Sequence, residues 1–164
     1  MGFFRSFVYA FRGIGYALAT QRNMRFHLAA AFYVLLLSRF FSLSAGEYAL
    51  LMVTIGGVMA AEAVNTAIEA LCDAVCPEQN ALIGHAKDAA AGAVLVMALF
   101  SVGVAIFLFG NIQGFREMYY FYSSHPLHLA ALAVSAAVAA VYVFKGLPGK
   151  AQSNRSGRSK DRED

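Results

Sequence analysis

The uncharged run from Tyr48 to Ala61 leads directly into Glu62-Ala-Val-Asn65-Thr-Ala-Ile-Glu69-Ala-Leu-Cys-Asp73, where so apolar a stretch has no place for acids without a reason. Glu62, Asn65, Glu69 and Asp73 stand at i, i+3, i+7 and i+11. With each residue turning a helix by ~100°, they fall at about 0°, 300°, 340° and 20°, one narrow stripe. From Glu62 to Asp73 the stripe climbs roughly 16 Å, from the bilayer interior toward its edge. A charge at mid-membrane costs about 2.5–3.5 kcal/mol even on the lenient insertion scale. Three acids on one stripe therefore require a counter-ion, a proton or a metal.

The membrane assignment rests on composition. The chain of 164 residues is 59% hydrophobic and 14% charged, with a mean hydropathy of +0.57. A soluble domain carries about 25% charged residues, and a disordered chain is far less apolar than this one. The length suits a few spanning helices and leaves no room for a separate soluble catalytic domain. The net charge of +3 is no sign of a nucleic-acid partner. Six of the thirteen basic residues (Lys145, Lys150, Arg155, Arg158, Lys160, Arg162) lie in the last twenty positions, where a juxtamembrane tail meets anionic lipid. Cys72 and Cys76 read as small buried hydrophobes rather than half of a metal site.

The expected fold is an all-α integral membrane protein with four regions. Residues 1–25 form an amphipathic interfacial helix, with Phe3, Phe4, Phe7, Phe11 and Ile14 on one face and Arg5 and Arg12 off it. No unbroken apolar stretch follows the first basic residue, so this is not read as a cleavable signal. Residues 26–110 form a core of three transmembrane helices. The first runs from Phe26 to Leu43, with Arg39 snorkelling at its far end. A turn at Ser44–Glu47 precedes the second, which starts at Tyr48 and stops by Cys76-Pro77, because proline cannot continue the ladder. Glu78 to His85 reads as a polar loop, and Lys87-Asp88 opens the third helix. Residues 111–145 comprise an aromatic connection and an additional transmembrane helix over Leu127–Phe144, and residues 146–164 a basic disordered tail. Arg5, Arg12, Arg22, Arg25, Lys87 and the tail cations all fall on one side of such a topology. The positive-inside rule then puts both termini, and the open end of the acidic stripe, in the cytoplasm of a cell membrane.

Half of the ten acids lie between Glu62 and Asp88. Glu62, Asn65, Glu69 and Asp73 on one helix, Glu78, Gln79 and Asn80 after it, and Lys87 and Asp88 beyond are what a magnesium–nucleotide site needs. Oxygens hold the hard cation and the lysine balances phosphate charge. Glu62, the deepest acid, suits a general base for an alcohol arriving from the lipid side. Phosphoryl transfer asks mostly for positioning and charge neutralisation, so a compact helical site suffices. Neither a Walker A loop nor a Gly-rich kinase loop is present.

At these residues the chain resembles a known family. Glu62-Ala-Val-Asn65-Thr-Ala-Ile-Glu69-Ala-Leu-Cys-Asp73, followed by Ala86-Lys87-Asp88-Ala-Ala-Ala-Gly-Ala-Val94, is similar to the prokaryotic diacylglycerol kinases, a family that includes the undecaprenol kinases. Tyr9-Ala-Phe-Arg-Gly-Ile14 and Arg22-Asn-Met-Arg-Phe-His27 also match, most closely the undecaprenol-kinase branch. The resemblance implies an integral-membrane lipid kinase, a homotrimer with active sites shared between subunits, ATP as co-substrate and Mg²⁺ as cofactor. Carried over by position, Glu62 is the catalytic base and Glu69 a metal ligand, with Asn65 and Asp73 as supporting polar residues. Tyr9, Gln21, Glu69, Glu78, Gln79, Asn80, Lys87 and Asp88 bind ATP, and Arg25 lies near the lipid. This sequence departs from the family pattern at Gln21, where a metal-binding Glu is usual, and at Asn80, where His is usual. A neutral Gln21 oxygen makes for a weaker metal position.

Two other readings compete. Gln21 and Asn80 fit a catalytically impaired relative with a structural or regulatory role. Intramembrane acids also mark ion-coupled transporters, but the other spans offer no acids that would carry a path to the far side.

Overall fold

The computed structural model describes residues 2–76, 78 and 80–146, and among them it contains helices and no strand. Met1, Pro77, Gln79 and the tail expected to be disordered, from residue 147 on, lie outside the described residues. The helices are α1 (Phe3–Thr20), α2 (Arg22–Ser38), α3 (Ala45–Val75), α4 (Ala81–Phe109), α5 (Ile112–Ser124) and α6 (Pro126–Lys145). Three of them, α3, α4 and α6, are long and apolar enough to cross a membrane.

The first expected span takes a different form. α2 has 17 residues, about 25 Å, against the ~20 residues a crossing usually takes. It begins four residues earlier than expected and stops at Ser38. There Phe40 and Phe41 N–H close tight turns onto Leu37 and Ser38 carbonyls, and Ser42 takes a left-handed φ of 49°. Its two ends nevertheless sit level with the two ends of the apolar part of α3. Gln21, just before α2, bonds to Glu69, and Ser38 Oγ donates to Tyr48 Oη at 3.3 Å. Glu69 and Tyr48 are about 31 Å apart along α3, one hydrocarbon thickness. α2 therefore traverses the bundle beside α3, antiparallel to it.

α3 begins at Ala45, three residues before the expected start, because Ser44 caps it. Ser44 Oγ accepts from Glu47 N–H at 3.3 Å while the Glu47 carboxylate accepts from Ser44 N–H at 2.7 Å, a complete capping box. The helix ends at Val75, where the upcoming proline required it to. Its 31 residues span about 46 Å, well beyond the ~30 Å of hydrocarbon. Measured from Ala45, Glu62 stands about 26 Å along the axis, and Glu69 and Asp73 about 36 and 42 Å. Only Glu62 is thus held within the apolar layer.

α4 packs principally against α3, so closely that a Cβ on Gly57 would meet the Met97 terminal methyl at 2.5 Å. It starts at Ala81 rather than after the expected loop to His85. Asn80 Oδ1 accepts from Leu82 and Ile83 N–H at 2.9 and 3.4 Å, converting most of that loop into a first helical turn. The aromatic connection is itself helical: α5 is capped by Asn111, whose Oδ1 accepts from Gln113 N–H. It lies against α6, and α6 returns along α2. Phe41 wedges beneath it, its ring 5.0 Å from both Phe109 and Phe115, and Gly114 gives the ring its room.

Candidate active site

The end of the bundle where α1 meets α2 and α3 passes into α4 carries the chemistry. Glu62 is 1% exposed, and its Oε2 is buried with no hydrogen-bond partner. A buried carboxylate oxygen with nothing to accept from costs several kcal/mol, on the order of 3–5 when a charge is left uncompensated. Such a group calls for a proton, a counter-ion or a metal. One turn on, Asn65 repeats the pattern, with a buried and unpartnered Oδ1. Its Nδ2 donates to Glu69 Oε1 at 3.0 Å, and Gln21 Nε2 donates to Glu69 Oε2 at 2.8 Å. Thr66 Oγ1 donates to the Glu62 carbonyl at 2.8 Å, which satisfies its buried hydroxyl within the helix.

Gln21 reaches Glu69 because it is the single non-helical residue between α1 and α2, extended at φ −100° and ψ 121°. Ala17, the one fully buried residue of α1, seats that helix against its neighbours just before the junction. The oxygens of Glu62, Asn65, Glu69 and Gln21 are all hard donors, suited to magnesium rather than to a soft metal. Among the described residues, Glu62 Oε2 and Asn65 Oδ1 are buried oxygen acceptors without partners, and their chemistry suits a cation or a hydroxyl. Among the described residues no three His, Cys, Asp or Glu side chains assemble a metal centre on their own. A cation here draws on amide oxygens or on its substrate.

Beyond Glu69 the α3–α4 corner opens into a cavity of about 560 Å³, with Asp73, Glu78, Asn80, Gly84 and Lys87 among its walls. That volume lies within the range of small-molecule sites, ~300–1,000 Å³. Lys87 bridges across it to Asp73 as an ion pair. Both side chains are open to solvent, so the pair is weakly held and yields readily to a phosphate. The capped N-terminus of α4 faces the same space and adds positive potential. Gly84, absent from the expected set, lies three residues before Lys87 and shares its helix face; that spacing was the available signal. On the opposite side of Glu62, an apolar groove of about 290 Å³ runs between α2, α3 and α4, walled by Phe26, Val34, Ile55, Val58 and Val102. Val58 precedes Glu62 by one turn, so the groove's lining stops one helical turn short of the buried acid.

The expected residues separate accordingly. Glu62, Asn65, Glu69 and Gln21 form one group, and Asp73, Glu78, Asn80 and Lys87 another. Tyr9 is exposed on α1 with Arg12 5.8 Å over its ring, and Asp88 is exposed on α4; neither hydrogen-bonds to the stripe among the described residues. Gln79 lies outside the described residues. Arg25 is drawn elsewhere: it is buried and gives its hydrogens to the carbonyls of Leu18, Ala19 and Val143.

Comparison with known proteins finds a family model for prokaryotic diacylglycerol kinase that matches residues 8–109. The undecaprenol kinase of Bacillus subtilis is 45% identical over 108 residues, 65% of this chain and 88% of that protein. A diacylglycerol kinase of Synechocystis is 42% identical over 98 residues, 59% of this chain and 56% of that protein. The family match contains every residue of both groups and leaves α5 and α6 outside it.

Proposed function

The chain belongs to the prokaryotic diacylglycerol kinase family and is a multi-pass membrane lipid kinase, and from that premise we propose that it transfers the γ-phosphate of ATP to the hydroxyl of undecaprenol at the cytoplasmic face. Diacylglycerol is the competing acceptor. The long, well-covered similarity to an undecaprenol kinase favours the polyprenol, and the product would return that lipid to use.

The observation that carries the reading is the buried, unpartnered carboxylate oxygen of Glu62, one helical turn beyond the lining of an apolar groove. A lipid chain in the groove brings its hydroxyl to that oxygen. Glu62 accepts the hydroxyl proton as the lipid oxygen bonds to the γ-phosphorus, the bond to the bridging oxygen breaks, and ADP leaves. Lys87, released from Asp73, meets the phosphates in the adjoining cavity. Glu69, with the oxygens of Asn65 and Gln21, would hold Mg²⁺, which neutralises phosphate charge when bound. Tyr9 and Asp88, unbonded to the stripe among the described residues, would complete the site from neighbouring subunits of a homotrimer. With α2, α3, α4 and α6 all crossing, the two termini share the side of the acidic end.

The test is purified protein in nanodiscs with labelled ATP, Mg²⁺ and either undecaprenol or a diacylglycerol. The expected result is magnesium-dependent label in undecaprenyl phosphate, lost in Glu62→Gln. Transfer that survives Glu62→Gln removes Glu62 as the base, and faster labelling of diacylglycerol overturns the acceptor.

A further inference from the structure

Arg25 is 7% exposed, yet among the described residues no carboxylate lies within ion-pair distance of it. A buried guanidinium without an anion must find negative potential elsewhere. Its Nε donates to the Val143 carbonyl at 3.1 Å, and its Nη1 to the Leu18 and Ala19 carbonyls at 3.1 and 3.3 Å. All three belong to last turns of helices, α6 and α1, where carbonyls have no partner within the helix. Each helix C-terminus carries about half a negative charge. Two of them converging on one side chain roughly balance the cation. A second cation marks the same join: Arg22 lies 6.0 Å over the Phe144 ring. Gly146, at φ +70°, closes α6 against the guanidinium, and a Cβ there would stand 3.7 Å from Arg25 Cζ.

The residue that joins α1 to α2, the helix Arg25 itself belongs to, is Gln21. Its N–H donates to the Ala17 carbonyl, its carbonyl accepts from Arg25 N–H at 3.4 Å, and its side chain holds Glu69. We propose that α6, which lies outside the family match, acts on the active site through Arg25: by fastening the end of α1 to the end of α6, Arg25 is a positioning residue that fixes the α1–α2 junction and so holds Gln21 on Glu69. Lysine cannot replace it, because one ammonium cannot reach carbonyls on two sides as the planar fork does. The proposal rests on the lipid-kinase reading for its kinetic consequence and on geometry alone for its structural one.

Two readouts separate these. The full-length protein in nanodiscs is assayed with undecaprenol and diacylglycerol as Arg25→Lys, as Gly146→Ala, and as each combined with Gln21→Ala. Hydrogen exchange across residues 17–25 is followed on the same samples. Arg25→Lys is expected to lower kcat about tenfold with lipid KM changed less than ~twofold, as a misplaced group does. Once Gln21 is alanine the same change should cost less than ~twofold, since the path is already cut. Gly146→Ala, whose added Cβ has the Arg25 guanidinium as its nearest neighbour among the described residues, should show a smaller loss with the same dependence on Gln21, and covers the case in which Arg25→Lys does not fold. Exchange across 17–25 should rise severalfold in both. Equal losses with and without Gln21, or a raised lipid KM, overturn the proposal, the first marking mere scaffolding and the second direct lipid contact. If the parent protein phosphorylates neither lipid, the kinase reading fails by itself, and unchanged exchange at 17–25 would independently sink the coupling.

Discussion

The two ends of the bundle use the same kinds of residue to opposite ends. At the α2–α3 turn, Glu47 is exposed and fully engaged, its carboxylate accepting from the N–H and hydroxyl of Ser44. At the other end, Glu62 is buried and leaves an oxygen without a partner. Around Glu47 the neighbours close the structure: Phe41 edges onto Phe109 and Phe115, Phe40 lies 5.4 Å from Phe121, and Arg39 stacks 4.8 Å over Phe40. Around Glu62 and Asp73 they leave an open cavity and a weak exposed ion pair. One end satisfies its polar groups and is structural. The other withholds partners from two buried oxygens, which is how a fold keeps room for a substrate.

The sharpest way to break this contrast is to neutralise the unsatisfied acid. Glu62→Gln is expected to cut kcat by about 10²–10⁴, the usual worth of a general base. It should leave the thermal midpoint unchanged or raised, because an uncompensated buried charge is removed. Steady-state rates and a melting curve on one sample decide it. A variant that melts lower while keeping its rate would make Glu62 structural, like Glu47. The converse experiment is at the aromatic end. Phe41→Ala forfeits two edge-on ring pairs together with the burial of the ring, and should destabilise the protein by roughly 3–5 kcal/mol. Turnover per folded molecule should hold. A specific-activity loss exceeding the folded-fraction loss would show that the aromatic end reaches the site.

Much of this division was legible in the amino-acid order. Charge in an apolar background is a loud signal, so the Glu62–Asp73 stripe and the helix stop before Pro77 could be read directly. Helix starts were less legible. Ser44 and Asn80 are polar residues that read equally as turn or cap, and the structure makes both caps, extending α3 and α4 into segments read as loop. The aromatic stretch after α4 read only as a connection, and nothing in its rings announced a helix. Least legible was Arg25, whose partners are main-chain carbonyls, one of them 118 residues away. A carbonyl has no residue type, so no spacing rule finds it.

Gln21 sharpens the contrast within the acidic end itself. Gln21→Glu exchanges an amide donor on Glu69 for a second carboxylate. Without magnesium the two acids repel and the melting midpoint should fall. With magnesium the apparent affinity should rise about tenfold, in line with the worth of a metal-site neighbour. Titrating the thermal midpoint against MgCl₂ reads both effects without turnover. Identical curves for the two proteins would take Gln21 and Glu69 out of the metal site.

The smallest effect is expected where everything is already satisfied. Ser44→Ala removes the hydroxyl that accepts from Glu47 N–H and donates to its carboxylate. Losing an N-cap of this kind costs ~1 kcal/mol. The cost should appear as a modest drop in the thermal midpoint and faster exchange in the first turn of α3, with kcat and both KM values unchanged. The cap lies about 26 Å along α3 from Glu62, so any kinetic change would mean that the start of α3 sets the depth of its acids. The two ends would then be coupled through one rigid helix, and the division between a closed end and an open one would be a matter of degree.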